Sequence, residues 1–465
     1  MTHSQFRDRP ALQRGVLAML ATASGITVGN VYLCQPLLDQ IAVGMGVHER
    51  TAGLVTVGAQ IGYALGILFL LPLADVVSSR RLVRILLVLT TLFLLTAAFS
   101  PTAPVLIAAS MAATATTVIP QILIPIMSGM AASEHRGRVI GTLQTGLILG
   151  ILLSRTVAGA VAQIADTWRA PYVLATVMTS ALLLFLPGLL PDRRRQPAHA
   201  GYLNLLRSLP PLLRYRPLRL SMILGFLVFG AFSAFWATLA FHLASPAFGL
   251  GPATAGLFGL YGAPGAILAP MADRLSDHIG ALRVNLLSLT FVALSLALGG
   301  WVGGFSVLAL VLTVNLLDFG LQSGQIANQT RIFTLGNDIR ARVNTLYMVA
   351  TFAGGAAGSF AGTIAWSLAG WLGVCVLALN VIAGLALIQN GQGDPRGHFL
   401  SPRLILHRYQ YDRMNKRRAL DAPVFRSLYL NFPITLYTHG SQWRESRRHY
   451  PSLRARTGSG FPWAG

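Results

Sequence analysis

Two charged side chains, Arg155 and Asp318, stand inside long apolar stretches of a 465-residue chain. In hydrocarbon each costs at least about 2.5–3.5 kcal/mol on insertion scales, so each needs a partner, a watery cavity or a task. A carboxyl group in apolar surroundings can take up and return a proton near neutral pH, which is the property of a coupling group. An arginine in the same setting can hold the anionic group of a ligand. If both lie on helices entering from the same side, helical rise places Asp318 about 7 Å deeper than Arg155. Three readings of Arg155 are open at this stage: a direct pair with Asp318, an anion site, and a structural tie to a helix-end carbonyl or to Asp39.

Polar residues surround these charges at helical spacing. Asn315, Asp318, Gln322, Gln325 and Gln329 fall within a wedge of about 80° on a helix. Thr114, Thr117, Gln121 and Ser128 form a second stripe, and Ser24, Thr27, Asn30 and Cys34 a third, with Gln35 just beyond it. Such a face can line a polar path, or it can hold helices together through hydrogen bonds worth about 0.6 kcal/mol per pair. The path residues expected on these grounds are Asn30, Gln35, Thr117, Gln121, Asn315, Gln322 and Gln325. Phe226, Phe229, Phe232, Phe235 and Trp236 add an aromatic face on which Trp236 could stack a ligand, although packing and interface anchoring are the usual uses of such rings. His242 reads as an interface residue. Cys34 and Cys375 offer no metal spacing, and no paired carboxylates or nucleophile with an adjacent base stand out, so an enzyme is not expected.

The elements that must position these residues follow from composition. Only 11% of the chain is charged and 54% is hydrophobic, whereas soluble domains carry about 25% charged residues. Apolar stretches of membrane-crossing length recur along the chain. Twelve helices are expected, at about 14–38, 51–73, 82–100, 102–130, 138–164, 170–190, 218–243, 253–273, 283–300, 304–333, 341–366 and 370–389, since lipid leaves backbone groups no partner outside the element. The first stretch reads as a retained helix, not a cleaved leader. Alternate loops then hold 20 arginines on one side and two, Arg50 and Arg169, on the other. The positive-inside rule therefore predicts a multi-pass protein of the inner (plasma) membrane with both termini cytoplasmic. The expected organisation is a cytoplasmic N-terminus over 1–13, a six-helix bundle over 14–190, a basic linker over 191–217, a second six-helix bundle over 218–389 and a tail over 390–465. Glycine-rich ridges, Gly146, Gly150, Ser154 and Ala158, and Gly354, Gly358 and Gly362, predict close helix approach.

Two loop motifs recur with nearly one offset. Glu134, Arg136 and Arg138 match Asp338, Arg340 and Arg342, and Asp75 with Arg81 matches Asp277 with Arg283. The spacing argues for duplicated halves facing the same way. With these motifs the chain resembles the major facilitator superfamily of secondary transporters over about residues 12–389, because the Asp75 and Asp277 loops look like that family's Gly-x-x-x-Asp-Arg-x-Gly-Arg-Arg loop. Residues 30–38, 317–320 and 328–331 look like a bacterial, drug:proton antiporter-like branch. Two features depart from antiporters of the family: no proline follows Gly150, and no arginine occurs over 108–114.

The resemblance implies an all-α membrane fold in which two bundles rock about a midplane site, with helices 1, 4, 7 and 10 around the cavity. It implies a small-molecule substrate and protons as partners, a bilayer as surroundings, a monomer, and no cofactor beyond a proton gradient. Asp318 is the expected coupling group. Asp75, Arg80, Arg81, Glu134, Arg138, Asp277, Arg283, Asp338 and Arg342 are the expected cytoplasmic gate, whose charge clusters form in one state and part in the other. Efflux is the expected direction, with uptake by the same fold or a non-transporting membrane sensor as alternatives. From 390 onward 13 Lys+Arg and 11 aromatics suggest a disordered segment beside the membrane; no nucleic-acid partner is expected.

Overall fold

The computed structural model describes residues 14–132, 134–190, 201–265 and 279–391. Every regular element among them is helical, and ten helical stretches are long and apolar enough to cross a membrane. The expectations for 1–13, for the 390–465 segment beyond Gly391 and for Asp277 lie outside the described residues.

Proline placement sets several of the helix breaks. Helix α1 (Arg14–Tyr32) gives way at Pro36 to a tight turn, Gln35–Leu37, and resumes as α2 (Leu38–Met45). Proline lacks the amide hydrogen that would continue the ladder. Helix α3 (Glu49–Leu65) runs on through a wider turn, Gly66–Leu70, into a tight one, Leu71–Asp75, that contains Pro72. Helix α4 spans Ser79–Ala98. The single helix expected over 102–130 is two, α5 (Ala103–Thr116) and α6 (Ile119–Met130), parted just ahead of Pro120. Helices α7 (Arg136–Ala165) and α8 (Arg169–Leu189) complete the N-terminal half.

From residue 201 onward the linker is partly helical. Residues Tyr202–Arg207 form a short helix, α9, followed by a tight turn at Pro210–Arg214, and α10 (Arg216–Ala244) begins two residues before the expected span. Helix α11 (Pro252–Tyr261) opens the eighth expected span, the rest of which is described only as far as residue 265. Helices α12 (Ala281–Trp301) and α13 (Val307–Phe333) follow. Helix α14 (Arg340–Gly391) is two helices joined at Ala369 and Gly370, whose backbones are not helical. The boundary expected between 366 and 370 is therefore present, and Gly370 takes it with a φ of 60° that glycine tolerates best.

Helices α1 to α8 pack chiefly among themselves, and α10, α12, α13 and α14 do likewise. Two seams, α7 with α11 and α3 with α14, join the halves. In the first, Gln163 Oε1 accepts from Ala253 N at 3.1 Å and Thr156 Oγ1 donates to Gly256 O at 3.0 Å. In the second, Trp366 Nε1 donates to Glu49 Oε2, and Gly53 faces Thr363 so closely that a Cβ there would collide with it. Both polar seams lie at the end of the molecule opposite α9.

Candidate functional site

A cavity of about 470 Å³ lies between the halves. Tyr32, Tyr63, Gln121, Gln144 and Arg155 form part of one wall; Phe229, Phe232, Asp318, Gln322, Gln325, Gln329 and Phe352 form part of the other. Its far end, toward α9, is bounded by Leu71, Asp75, Leu205, Leu209 and Arg342. The cavity is a volume shared by both halves.

Arg155 is 1% exposed and lines this cavity. Its Nε donates to Gln35 Oε1 at 2.7 Å, so its tie is to a side-chain amide, and neither Asp39 nor a helix-end carbonyl is recorded as its partner. The guanidinium lies 3.9 Å from the centre of the Trp236 ring, 4.8 Å from that of Tyr32 and 6.0 Å from that of Phe232. Desolvated cation–π contacts of this kind contribute about 2 kcal/mol, so the rings hold the charge where water does not. They offer no hydrogen-bond acceptor, and Arg155 Nη2 is buried without a partner. Helix α11 fixes the backbone beneath: side-chain atoms at Gly256 and Gly259 would strike the carbonyls of Arg155 and Leu152.

Asp318 is 6% exposed on the same cavity, and its Oδ2 also lacks a partner. With Nη2 of one and Oδ2 of the other both unpartnered, the two charges are not joined through these atoms. Gly262 makes room for the carboxylate, because a Cβ at 262 would overlap Asp318 Oδ2. Helix α13 begins with a serine cap, Ala309 N donating to Ser306 Oγ at 3.3 Å, and then carries Asp318, Gln322, Gln325 and Gln329 down one cavity wall.

The remaining expected path residues divide into two sets. Gln121, Gln322 and Gln325 line the cavity, while Gln35 and Trp236 reach it only through Arg155. Asn30, Thr117 and Asn315 are turned to other helices. Thr117 Oγ1 donates to Thr27 O at 2.6 Å and accepts from Asn30 Nδ2 at 3.3 Å. Asn315, at one edge of the polar wedge, donates to Tyr261 O and Val311 O, both at 2.8 Å. For these three, interhelical bonding is the role that the structure records. His242 is buried against Gly303 O at 3.0 Å and stacks on Trp371.

Among the described residues, the expected gate residues divide among the cavity border, the end of α8 and the exposed surface. Asp75 and Arg342, one from each half, both border the cavity. Arg80 closes the end of α8 by donating from Nε and Nη2 to Leu190 O at 3.1 and 2.9 Å. Arg81, Glu134, Arg138, Arg283 and Asp338 are exposed, and Arg342 Nη2 reaches Asp338 O at 3.4 Å. Tyr32, Tyr63, Gln144 and Phe352 are wall residues that the polar stripes missed. Gln144 had a signal: eleven residues before Arg155, it lies only about 20° away on the helix. Leu205 and Leu209 of the ordered linker had none, since short amphipathic turns do not stand out from sequence.

Comparisons with known proteins agree with this architecture. The chain is similar to the "Uncharacterized transporter YgaY" of Escherichia coli, 36% identical over 387 residues that cover 82% of this chain and 95% of that one. It is 38% identical over 373 residues to the "Probable transporter SCO4007" of Streptomyces coelicolor, covering 79% and 85%. Among solved structures the nucleoside transporter NupG aligns with a TM-score of 0.66 at 15% identity, over 82% of this chain and 99% of that one. The peptide transporter POT in complex with sulfate aligns at 0.65 and 15%, over 83% and 98%. These two likenesses concern the fold alone. Residues 20–359 match the Major Facilitator Superfamily, so the chain belongs to that family of transporters and is not an enzyme.

Proposed function

We propose that the chain is a proton-coupled secondary transporter that moves a small organic solute across the inner membrane by alternating access. Its twelve spans form two six-helix bundles in one monomer, with both termini in the cytoplasm and the arginine-rich loops anchoring that side. The observation that carries this reading is one cavity, shared by the halves, with a buried Arg155 and a buried Asp318 on its walls. The seams on the side opposite α9 close the outer end in this state, and the cavity runs toward the cytoplasmic end between Asp75 and Arg342. Parting the seams while closing the Asp75 and Arg342 end gives the other state. Asp318 carries the coupling proton, and no cofactor is needed beyond the gradient.

The drug:proton antiporter-like resemblance favours efflux. A second reading, uptake, is favoured by Arg155 on the cavity wall, whose buried Nη2 lacks a partner, which suits an anionic solute. The test is a solute panel of amines, amides and carboxylates offered to proteoliposomes with an imposed pH gradient. Solute-dependent proton flux is expected in the wild type and not in Asp318→Asn. Equal gradient-driven transport by both proteins contradicts the coupling role, and absence of transport by the wild type across the whole panel contradicts the transporter reading.

A further inference from the structure

We propose that the substrate is an amphipathic organic anion whose carboxylate binds the Arg155 guanidinium, and that it travels in the same direction as the proton. The inference rests on the transporter reading above. Among the described residues Arg155 is the one basic side chain on the deep cavity wall, and its recorded hydrogen bond is from Nε to Gln35. Trp236, Tyr32 and Phe232 supply π faces to the guanidinium, which hold the cation but leave Nη2 without an acceptor. Gln35 Nε2 and Trp236 Nε1, the groups packed around it, are buried donors without partners as well. Of these groups only Arg155 lines the cavity; a cation short of acceptors there calls for an acceptor-rich group, and a carboxylate supplies two oxygens in the geometry that a guanidinium fits.

The rest of the cavity describes the body attached to that carboxylate. Val28, Ile122, Ile151, Phe229 and Phe352 make a largely apolar wall, broken by the amides of Gln121, Gln322 and Gln325. The volume of about 470 Å³ falls in the range of small-molecule sites. A compact organic acid with an aromatic or branched apolar body suits both features.

Asp318 then sets the sense of coupling. Ionised, it repels a carboxylate bound in the same cavity; protonated, it loses that charge and gains an O–H donor. Anion and proton each favour binding of the other, and this reinforcement is reciprocal. A cationic substrate would compete with the proton instead, giving exchange. Among the described residues, the ionisable groups whose charges act with that of Asp318 are Arg155 of α7 and Tyr32 of α1. Helix α11 leads into Gly262 beside the carboxylate, while α12 meets α13 through Ser288 and Val292 and α10 meets it through Ser221, none of them ionisable near neutral pH.

The experiment uses the full chain in proteoliposomes and three probes of one skeleton: phenylacetate, phenylacetamide and phenethylamine. With acid outside, phenylacetate is expected to accumulate above the level that passive diffusion of its neutral acid gives in protein-free vesicles, and the amide and amine to match their protein-free controls. Arg155→Gln should lose phenylacetate affinity by about thirtyfold or more, the usual result of removing one partner of a buried charge pair. Arg155→Lys, which keeps the charge, should recover part of it and so separates ligand binding from misfolding. Asp318→Asn should still exchange labelled for unlabelled phenylacetate faster than protein-free vesicles, with no gradient-driven accumulation beyond theirs. Gradient-driven movement of the amine or amide in preference to the acid overturns the inference and leaves the transporter reading standing. Movement of none of the three overturns this substrate class, and the wider panel above then decides the transporter reading separately.

Discussion

Arg155 and Asp318 are held by different devices, and each device can be tested alone. The Trp236 ring lies under the Arg155 guanidinium at 3.9 Å. Trp236→Leu should therefore weaken substrate binding by about tenfold, the equivalent of a modest desolvated cation–π contact, as measured by the half-saturating solute concentration in proteoliposomes. Gly262 matters because its missing side chain leaves space for the Asp318 carboxylate. Gly262→Ala should lower gradient-driven transport by on the order of tenfold to a hundredfold, since displacements near 1 Å carry such penalties. Thermal unfolding should change little if the carboxylate, and not the backbone, is what moves. Both charges were legible in the sequence, because a charge within an apolar span is costly and stands out. Gln35 as the partner of Arg155 was not legible in that role, because a contact between residues 120 apart leaves no periodic trace. Thr117 and Asn315 belonged to the same stripes as wall residues, while no member of the Asn30 stripe lines the cavity; a polar stripe marks a buried face without saying whether a cavity or another helix covers it.

Glycines on the helices serve two kinds of close approach that respond differently to bulk. Gly354 and Gly358 of α14 face the backbone of Phe226 and Gly230 on α10, within one half. Leucine at 354 should destabilise the folded protein by about 1–3 kcal/mol, the range for overpacked interiors, and lower its thermal midpoint in detergent. Gly256 of α11 instead faces the Arg155 carbonyl of α7 across a seam between the halves. Leucine there should favour the state in which the seam is open, with little loss of folded protein. The check is labelling of a cysteine at Thr363, buried in this structure, by a membrane-impermeant maleimide: faster labelling in the Gly256→Leu background is expected, and unchanged labelling contradicts the seam's role. The glycine ridges were readable from spacing, but their assignment to a bundle or to a seam required the structure. The breaks at Pro36, Pro72 and Pro120 could have been placed from the missing amide hydrogens. The helix over Tyr202–Arg207 could not, since six residues carry too short a pattern and owe their order to contacts such as Tyr202 Oη with Phe69 O at 3.0 Å.

At the scale of the whole molecule, the halves meet along the α7–α11 and α3–α14 seams and enclose a cavity bordered at one end by Asp75 and Arg342. An alternating-access cycle requires that contact to break, so tying it should stop transport. Gly53 and Thr363 approach closely across the α3–α14 seam; a cysteine pair placed at these positions should reduce turnover by at least about tenfold when oxidised and recover on reduction, as read from solute flux before and after reductant. The membrane class, the twelve-helix expectation and the duplicated halves came from composition, arginine asymmetry and loop repeats, signals that accumulate over hundreds of residues. Which end is open is a property of one state of the molecule, and a sequence shared by all states carries no mark of it. The coupling claim meets its most direct test in Asp318→Asn, assayed in one preparation for gradient-driven accumulation and for solute exchange at equal pH. Exchange retained with accumulation lost is the predicted result; accumulation at the wild-type level would contradict it.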